Sequence, residues 1–133
     1  MIKQILVWVD DREATRAQVK WAIELARVLT AQLYAVYILP LEPETHRKRK
    51  PIPREEKAWE VLYEVEDEAF EQQVRISLLI ETGDPIEKLC ELLRSYKIDL
   101  LVVSASCSIP AIELIRHSPQ PVVFIKQNNN KEV

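Results

Sequence analysis

The sequence predicts a single α/β domain in which an open parallel five-stranded sheet carries helices on both faces. Five short runs of branched apolar residues alternate with segments whose apolar residues recur at helical spacing. The strand-like runs are almost continuously apolar, which is typical of parallel strands buried on both sides. No internal repeat or second compositional region is visible in the 133 residues. We therefore expect one domain over residues 1–133.

The first half of the chain is predicted to form a β-α-β unit, a loop and a second helix. The predicted strands are Ile2–Val9 and Leu33–Leu39, and the helix between them spans residues 12–30. One face of that helix carries apolar residues three and four positions apart, namely Ala14, Ala17, Trp21, Leu25 and Val28. Residues 40–53 hold four prolines and the basic string HRKRK, which indicates a loop. The next helix, residues 54–73, is predicted to bury Ala58, Leu62, Val65 and Ala69.

The second half begins with a strand over Val74–Ile80 and then the strongest local signal in the chain. Asp84 can cap a helix, Pro85 suits its first turn, and Glu87 completes a capping-box-like pair. That helix runs to about residue 97 and is expected to point Cys90 into the core. The remaining predicted elements are a strand over residues 99–104, a short helix over 109–117, a last strand over 121–126 and a flexible tail over 127–133.

The composition excludes several classes of function. With 47% hydrophobic and 29% charged residues, the chain is of the ordinary globular kind. A formal net charge of −3 gives no electrostatic basis for binding nucleic acid. No apolar run approaches the ~18 residues of a membrane helix, so we expect no membrane association. Two cysteines without zinc or CxxC spacing favour a reducing, cytoplasmic location and no metal.

Several segments in this order resemble the universal stress protein family over essentially the whole chain. The most telling are Val9-Asp10 at the end of the first strand, Gly83-Asp84-Pro85, Asp99-Leu100 at the start of the fourth strand, and RHSPQPV at 116–122. The resemblance implies an adenine nucleotide alpha hydrolase-like fold with strand order 3-2-1-4-5. It also implies a homodimer through the last strand, whose residues are Val122, Val123, Phe124 and Ile125.

Many members of that family bind ATP through a glycine-rich loop after the fourth strand. The resemblance puts Ser104, Cys107 and Ser108 where that loop has its glycines, and most of the loop is absent here. It also places Asp10 and Ile38 in the same cleft, and we call these five residues the strand-end cleft. A phosphate cradle turns consecutive backbone N–H groups to one point and usually needs positive φ, which glycine adopts freely. The chain holds one glycine in total, so the cleft is predicted to be vestigial.

A second departure from the family supports the same prediction. Trp8 stands beside the expected adenine position, where the resembling sequences usually carry a small residue. An indole there would fill the space that the base needs. No cofactor is therefore expected.

The cleft residues also have purely structural interpretations. Asp10 and Asp11 would either offer a polar contact to a ligand or face the N-terminus of the first helix, where the dipole favours negative charge. The hydroxyls of Ser104, Ser106 and Ser108 would either bind a small anion or form a tight turn and cap the short helix.

Other reactive or charged residues leave further alternatives open. Cys107 is a candidate redox-sensing thiol, although no partner thiol is predictable beside it. His117 is expected to be structural, near the predicted dimer edge. The basic string 46–50 is either a solvated loop or a contact for an anionic partner. Trp21 and Trp59 are interpreted as packing residues.

The sequence thus predicts a cytoplasmic, dimeric regulatory or interaction protein of the stress response that does not bind ATP and is not an enzyme. An unidentified protein partner is compatible with that prediction. The alternative is a sensor of a small ligand or nucleotide, ATP or AMP, at the carboxyl edge of the first and fourth strands. A hydrolase is a third interpretation, but no G-x-S-x-G elbow or nucleophile–base pair supports it.

Overall fold

Strands and helices alternate along the chain in a computed structural model that describes residues 1–11, 16–41 and 52–126. The basic string 46–50 and the tail 127–133 lie outside the described residues. The described elements are β1 (Gln4–Val9), α1 (Arg16–Leu29), β2 (Gln32–Leu39), α2 (Ile52–Glu71), β3 (Ile76–Thr82), α3 (Pro85–Ser95), β4 (Leu100–Ser104), α4 (Ala111–His117) and β5 (Val122–Ile125).

The five strands form one parallel sheet of order β3-β2-β1-β4-β5, which confirms the predicted fold class. The start of β1 is joined to the start of β4 by Asp99, whose Oδ2 accepts the N–H groups of Lys3 and Gln4 at 2.8 and 3.0 Å. Because all strands run the same way, their carboxyl ends share one edge of the sheet. Ligands of open α/β sheets bind at that edge, near the point where the strand order reverses.

Two apolar clusters cover the two faces of the sheet. The cluster under α1 and α2 contains Ile5, Val7, Leu33 and Leu62, all fully buried. The opposite cluster, under α3 and α4, contains Leu6, Val36, Leu89, Leu101 and Leu114. Each strand buries its odd-numbered side chains on one face of the sheet and its even-numbered side chains on the other, and this accounts for the almost continuous apolar sequence of the strands.

The predicted buried face of α1 is wrong by about one position. Val28 is 67% exposed and Trp21 is 37% exposed, whereas Val19, Ala22, Ile23 and Ala26 are buried. The helix carries two adjacent apolar rows, and the row with alanines at 22 and 26 lets its backbone approach the sheet closely. Periodicity alone does not distinguish two neighbouring rows.

The second helix is buried as predicted but starts earlier and exposes an aromatic residue. Ala58, Leu62, Val65 and Ala69 are all buried. The helix begins at Ile52 rather than at residue 54, because proline is tolerated in a first helical turn. Trp59 keeps 37% of its surface exposed and stacks on Tyr63, so neither Trp21 nor Trp59 is a core residue. No helix of the described chain is long and apolar enough to cross a membrane.

Candidate functional site

The carboxyl ends of β1, β2 and β4 bring three of the five strand-end cleft residues to one edge. Val9 is aligned with Tyr37 and Val7 with Val102. Extending these registers sets Asp10 beside Ile38 on one side and Ser104 close by on the other. Asp10 and Ile38 are half-buried and Ser104 is buried. The predicted strand-end residues therefore lie at adjacent positions along the edge.

The hydroxyl of Ser104 is used within the turn that follows β4. Its Oγ accepts the Ser106 N–H at 3.1 Å and lies 3.0 Å from the Ser106 Oγ. The Cys107 N–H donates to the Ser104 carbonyl at 3.0 Å, which closes the turn. Ser104 is only 2% exposed, so this hydroxyl faces the protein rather than solvent.

The backbone between β4 and α4 does not have the conformation of a phosphate cradle. Positive φ occurs in the described residues at Thr30, Gln73, Gly83 and Lys97, and none of these lies in residues 105–110. A nest of converging N–H groups alternates right-handed and left-handed backbone. Ser108 is exposed, and the Cys107 thiol lies 3.5 Å from the Ile109 carbonyl.

The serines form the predicted turn, but they do not cap the short helix. α4 starts at Ala111 after Pro110, which makes no side-chain cap hydrogen bond. The prediction of a serine cap is wrong because Pro110 takes the capping position. The helix is seven residues long, and it packs on the sheet through the fully buried Leu114.

Trp8 occupies the sheet face next to the predicted adenine position. It is half-buried and packs against the cluster under α3 and α4, as Ile38 and Cys107 also do. Trp8 is the last residue of β1 on this face, and its register partner on β2 is Val36. The indole thus covers apolar surface at the carboxyl end of the sheet.

Gln18 is a buried polar residue at this edge that the sequence reasoning missed. It is 1% exposed, and its Nε2 donates to the Trp8 carbonyl at 3.0 Å. Its Oε1 is buried and accepts no hydrogen bond from the described residues. The signal for it was a single amide placed between Ala17 and Val19 on the apolar side of α1.

Cys90 and His117 link α3 to the end of α4. Cys90 points into the core as predicted, and its thiol donates to the His117 carbonyl at 3.3 Å. Burial raises the pKa of the Cys90 thiol above its usual value, although the nearby Arg94 guanidinium partly opposes that change. The His117 Nδ1 lies 3.0 Å from the Glu113 carbonyl within α4. These contacts hold the helix end that leads into β5.

The described side chains at this edge form neither a metal cluster nor a catalytic pairing. Across residues 1–11, 16–41 and 52–126, no group of three or more His, Cys, Asp or Glu is placed to hold a metal ion. His117 lies at the far end of α4 from the serine turn, so the structure does not bring a Ser, a His and an Asp together there.

Comparisons with known proteins agree with the geometry of the fold. The sequence model of the Universal stress protein family matches residues 1–108. A search of curated protein sequences finds no match. A solved structure from Burkholderia pseudomallei, described as a protein of that family, is similar over 93% of this chain and 96% of its own, with 25% identity and a TM-score of 0.78.

Two further solved structures resemble this chain at the level of the fold. A universal stress protein from Archaeoglobus fulgidus in complex with dAMP has 20% identity and a TM-score of 0.78, over 95% of this chain and 100% of that one. A protein of the same family from Arabidopsis thaliana with AMP bound has 17% identity and a TM-score of 0.74, over 98% and 96%. Matches at this identity show the fold alone.

Proposed function

The chain belongs to the universal stress protein family, and we propose that it acts there as a regulatory or interaction protein that does not bind ATP. In this proposal it is a cytoplasmic homodimer of the stress response, without enzymatic activity. The observation that carries the proposal is the backbone of residues 105–110, which contains no glycine and no positive φ. A triphosphate has no converging set of N–H groups to bind there.

Two side-chain arrangements support the loss of the nucleotide. The Ser104 hydroxyl, which could have replaced a glycine amide as a phosphate contact, already bonds Ser106. The Trp8 indole packs against the cluster under α3 and α4, on the side of the sheet where the family resemblance puts the adenine. Adding a nucleotide would therefore require both a different turn and a displaced indole.

A thermal-shift titration with ATP and magnesium tests this proposal. A ligand at 100 times its Kd adds about 2.7 kcal/mol to the free energy of unfolding, so even modest affinity is visible at millimolar ATP. We expect no shift in Tm for the wild type. Trp8→Ala should also show none, because it opens space without creating a cradle. A saturable shift of the wild type with a micromolar midpoint would contradict the proposal.

The alternative function, a small-ligand or nucleotide sensor, is favoured by one observation. The buried Oε1 of Gln18 lacks a donor among the described residues, and its amide is fixed to the Trp8 carbonyl at the carboxyl end of β1. A ligand with an N–H or O–H group that displaces the side chains around this buried oxygen would satisfy it. AMP and inorganic phosphate in the same titration distinguish the two functions, since a shift with AMP that Gln18→Leu abolishes would support the sensor.

The proposed dimer rests on the outer edge of β5. Leu101 donates to the Pro121 carbonyl and Ala105 donates to the Ile125 carbonyl, so the backbone groups of Val122 and Phe124 point away from β4. All four residues of β5 are half-buried. Antiparallel pairing with a second copy would satisfy these backbone groups and cover apolar side chains.

Sedimentation of two β5 variants tests the dimer. Val123→Lys places a charge on the strand, and Val122→Pro removes an outward N–H that has no partner on β4. We expect Val122→Pro to sediment as a monomer with wild-type circular dichroism. The Val123 side chain packs against the cluster under α1 and α2, so a folded monomeric Val123→Lys would support the interface, whereas an unfolded one would show only that Val123 is buried within one subunit. Val122→Pro protects the test against unfolding, because proline is tolerated on an edge strand where its N–H faces outward. A monomeric wild type at tens of micromolar would refute the dimer.

A further inference from the structure

The edge of the sheet opposite β5 carries an apolar groove. This groove is part of neither the strand-end cleft nor the proposed dimer edge. β3 is the terminal strand on that side, and none of the described residues pairs with its outer edge. At its start the groove has a volume of about 880 Å³ and is lined by Glu66 and Phe70 of α2 together with Arg75, Ile76 and Ser77. We call the surface between α2 and the outer edge of β3 the α2–β3 groove.

The backbone of β3 presents a regular set of unpaired groups to this groove. Leu33 donates to the Arg75 carbonyl, and Gly83 donates to the Leu39 carbonyl, so the odd-numbered residues of β3 bond β2. Backbone groups alternate in direction along a strand. The N–H and C=O groups of the even-numbered residues Ile76, Leu78, Ile80 and Thr82 therefore point outward.

The side chains of the same residues form the floor of the groove. Ile76, Leu78 and Ile80 pack against the cluster under α2 but remain partly exposed. An added strand would thus find both hydrogen-bond partners and apolar surface on one side of β3. This pairing of a free strand edge with a neighbouring helix is the arrangement that strand-addition peptides use.

An exposed aromatic row on α2 includes Phe70, which lines the groove. Trp59, Tyr63 and Phe70 are spaced four and seven residues apart, which puts them on one side of the helix. They are 37%, 54% and 80% exposed. The opposite side of α2 faces α1, where Glu64 pairs with Arg16. Aromatic residues so exposed are common at binding surfaces.

The charge on α2 indicates which occupant the groove would take. From Glu55 to Glu71 the helix has acidic residues at eight positions and one basic residue, Lys57. Glu66 lies between Tyr63 and Phe70 on the groove side. A symmetric pairing of two copies at this edge would bring two such acidic helices together, and that repulsion disfavours self-association.

We propose that the α2–β3 groove binds an extended, basic protein segment by strand addition to β3. Alternate apolar side chains of that segment lie on Ile76, Leu78 and Ile80 against the aromatic row, and its lysines or arginines meet the carboxylates of α2. The groove lies along the outer edge of β3, whereas the strand-end cleft lies at the carboxyl ends of β1, β2 and β4, so the proposal stands or falls independently of ATP binding.

A designed probe, an alternating lysine–valine decapeptide, tests this assignment by amide hydrogen exchange on the intact protein. Binding should be saturable and should protect the outward-facing amides of β3, which belong to Ile76, Leu78, Ile80 and Thr82. The amides of Ser77, Leu79 and Glu81, which already face β2, should change little. An alternating glutamate–valine decapeptide should bind at least about tenfold more weakly, a difference of about 1.4 kcal/mol.

Two N-methylated forms of the probe separate strand addition from loose apolar contact. One is methylated at its valines and the other at its lysines, so each form removes the N–H groups of one edge of the peptide. Strand addition uses one edge only, and we expect one form to lose binding while the other retains it. Retention by both would overturn the proposal.

Matched protein variants test the aromatic row and the charge. Phe70→Ser and Glu66→Lys should each weaken binding of the lysine probe about tenfold. The matched controls are Ile112→Ser on α4 and Glu60→Lys, which lies a third of a turn from Glu66 around α2, and neither should change binding. The four side chains are exposed or groove-lining, so the fold is expected to persist. Equal binding of the lysine and glutamate probes, or a wild-type dimer that Phe70→Ser converts to a monomer, would overturn the proposal.

Discussion

The two strand-to-helix connections after β3 and β4 lie at the same edge of the sheet but are built in opposite ways. After β3, Gly83 has φ of +141° and Asp84 caps α3 by accepting the Glu87 N–H at 3.0 Å. After β4, the connection has no positive φ, and α4 starts without a side-chain cap. The first connection combines a positive φ with a side-chain helix cap, and the second has neither.

The difference shows where glycine is indispensable to this chain. Thr30, Gln73 and Lys97 have φ between 54° and 63°, just after α1, α2 and α3. L-residues reach this left-handed region at a cost of ~1–2 kcal/mol, and the chain accepts that cost. Among the residues that the structure describes, only Gly83 has φ near +141°, which side chains rarely tolerate. The single glycine therefore stands where the fold needs it.

The largest expected effect comes from removing that glycine. Gly83→Ala should lower the free energy of unfolding by about 1–3 kcal/mol, because alanine is strained at this φ. The measurement is chemical denaturation. An added Cβ would also lie 3.0 Å from the Lys88 Cε, so Lys88→Ala is the control. If the double variant regains full stability, the cost was steric and the backbone explanation is wrong.

Much of the fold could be predicted because its signals are local or periodic. The cap at Asp84 and the buried row of α2 follow from short patterns, and the structure confirms them. The buried face of α1 could not be predicted, because its two apolar rows differ only in how closely alanines let the helix approach the sheet. The exposure of Trp59 was missed for a related reason, since an aromatic row at helical spacing has the same pattern on an outer face.

The placement of three strand-end residues at one edge could be predicted from the sequence, but their hydrogen bonds could not. Asp10, Ile38 and Ser104 lie together because parallel strands end at one edge. Which partner the Ser104 hydroxyl takes depends on the turn geometry, and the sequence does not specify it. The hydrogen bond from Gln18 to the Trp8 carbonyl arises from tertiary packing, which likewise leaves no pattern in the sequence.

A smaller effect comes from the side-chain cap that the first connection has and the second lacks. Asp84→Ala should cost about 1 kcal/mol of stability, the usual loss for an N-cap, because the Glu87 N–H loses its acceptor. The matched change in the other connection is Ser108→Ala. Ser108 is exposed and does not cap α4, so we expect a change below about 0.5 kcal/mol. Equal losses in the two variants, measured by urea denaturation, would contradict the difference between the connections.

The smallest effect concerns the hydrogen bond from the Cys90 thiol of α3 to the His117 carbonyl at the end of α4, and this effect depends on pH. Burial raises the pKa of the Cys90 thiol, with Arg94 opposing, so the folded protein holds this proton to higher pH than the unfolded chain does. Stability should therefore be unaffected below the unfolded pKa of ~8.5 and should fall as pH rises from there through the folded pKa. Cys90→Ser keeps a donor for the His117 carbonyl but does not titrate in this range, so its stability should fall less between pH 8 and pH 10, compared with its own value at pH 7. Lysines and tyrosines titrate in both proteins, and the difference between the two curves removes their contribution. Cys107→Ser, which leaves Cys90 in place, is the control, and its stability should follow that of the wild type. If the stability of Cys90→Ser also follows the wild type, the buried thiol does not cause the loss of stability at high pH.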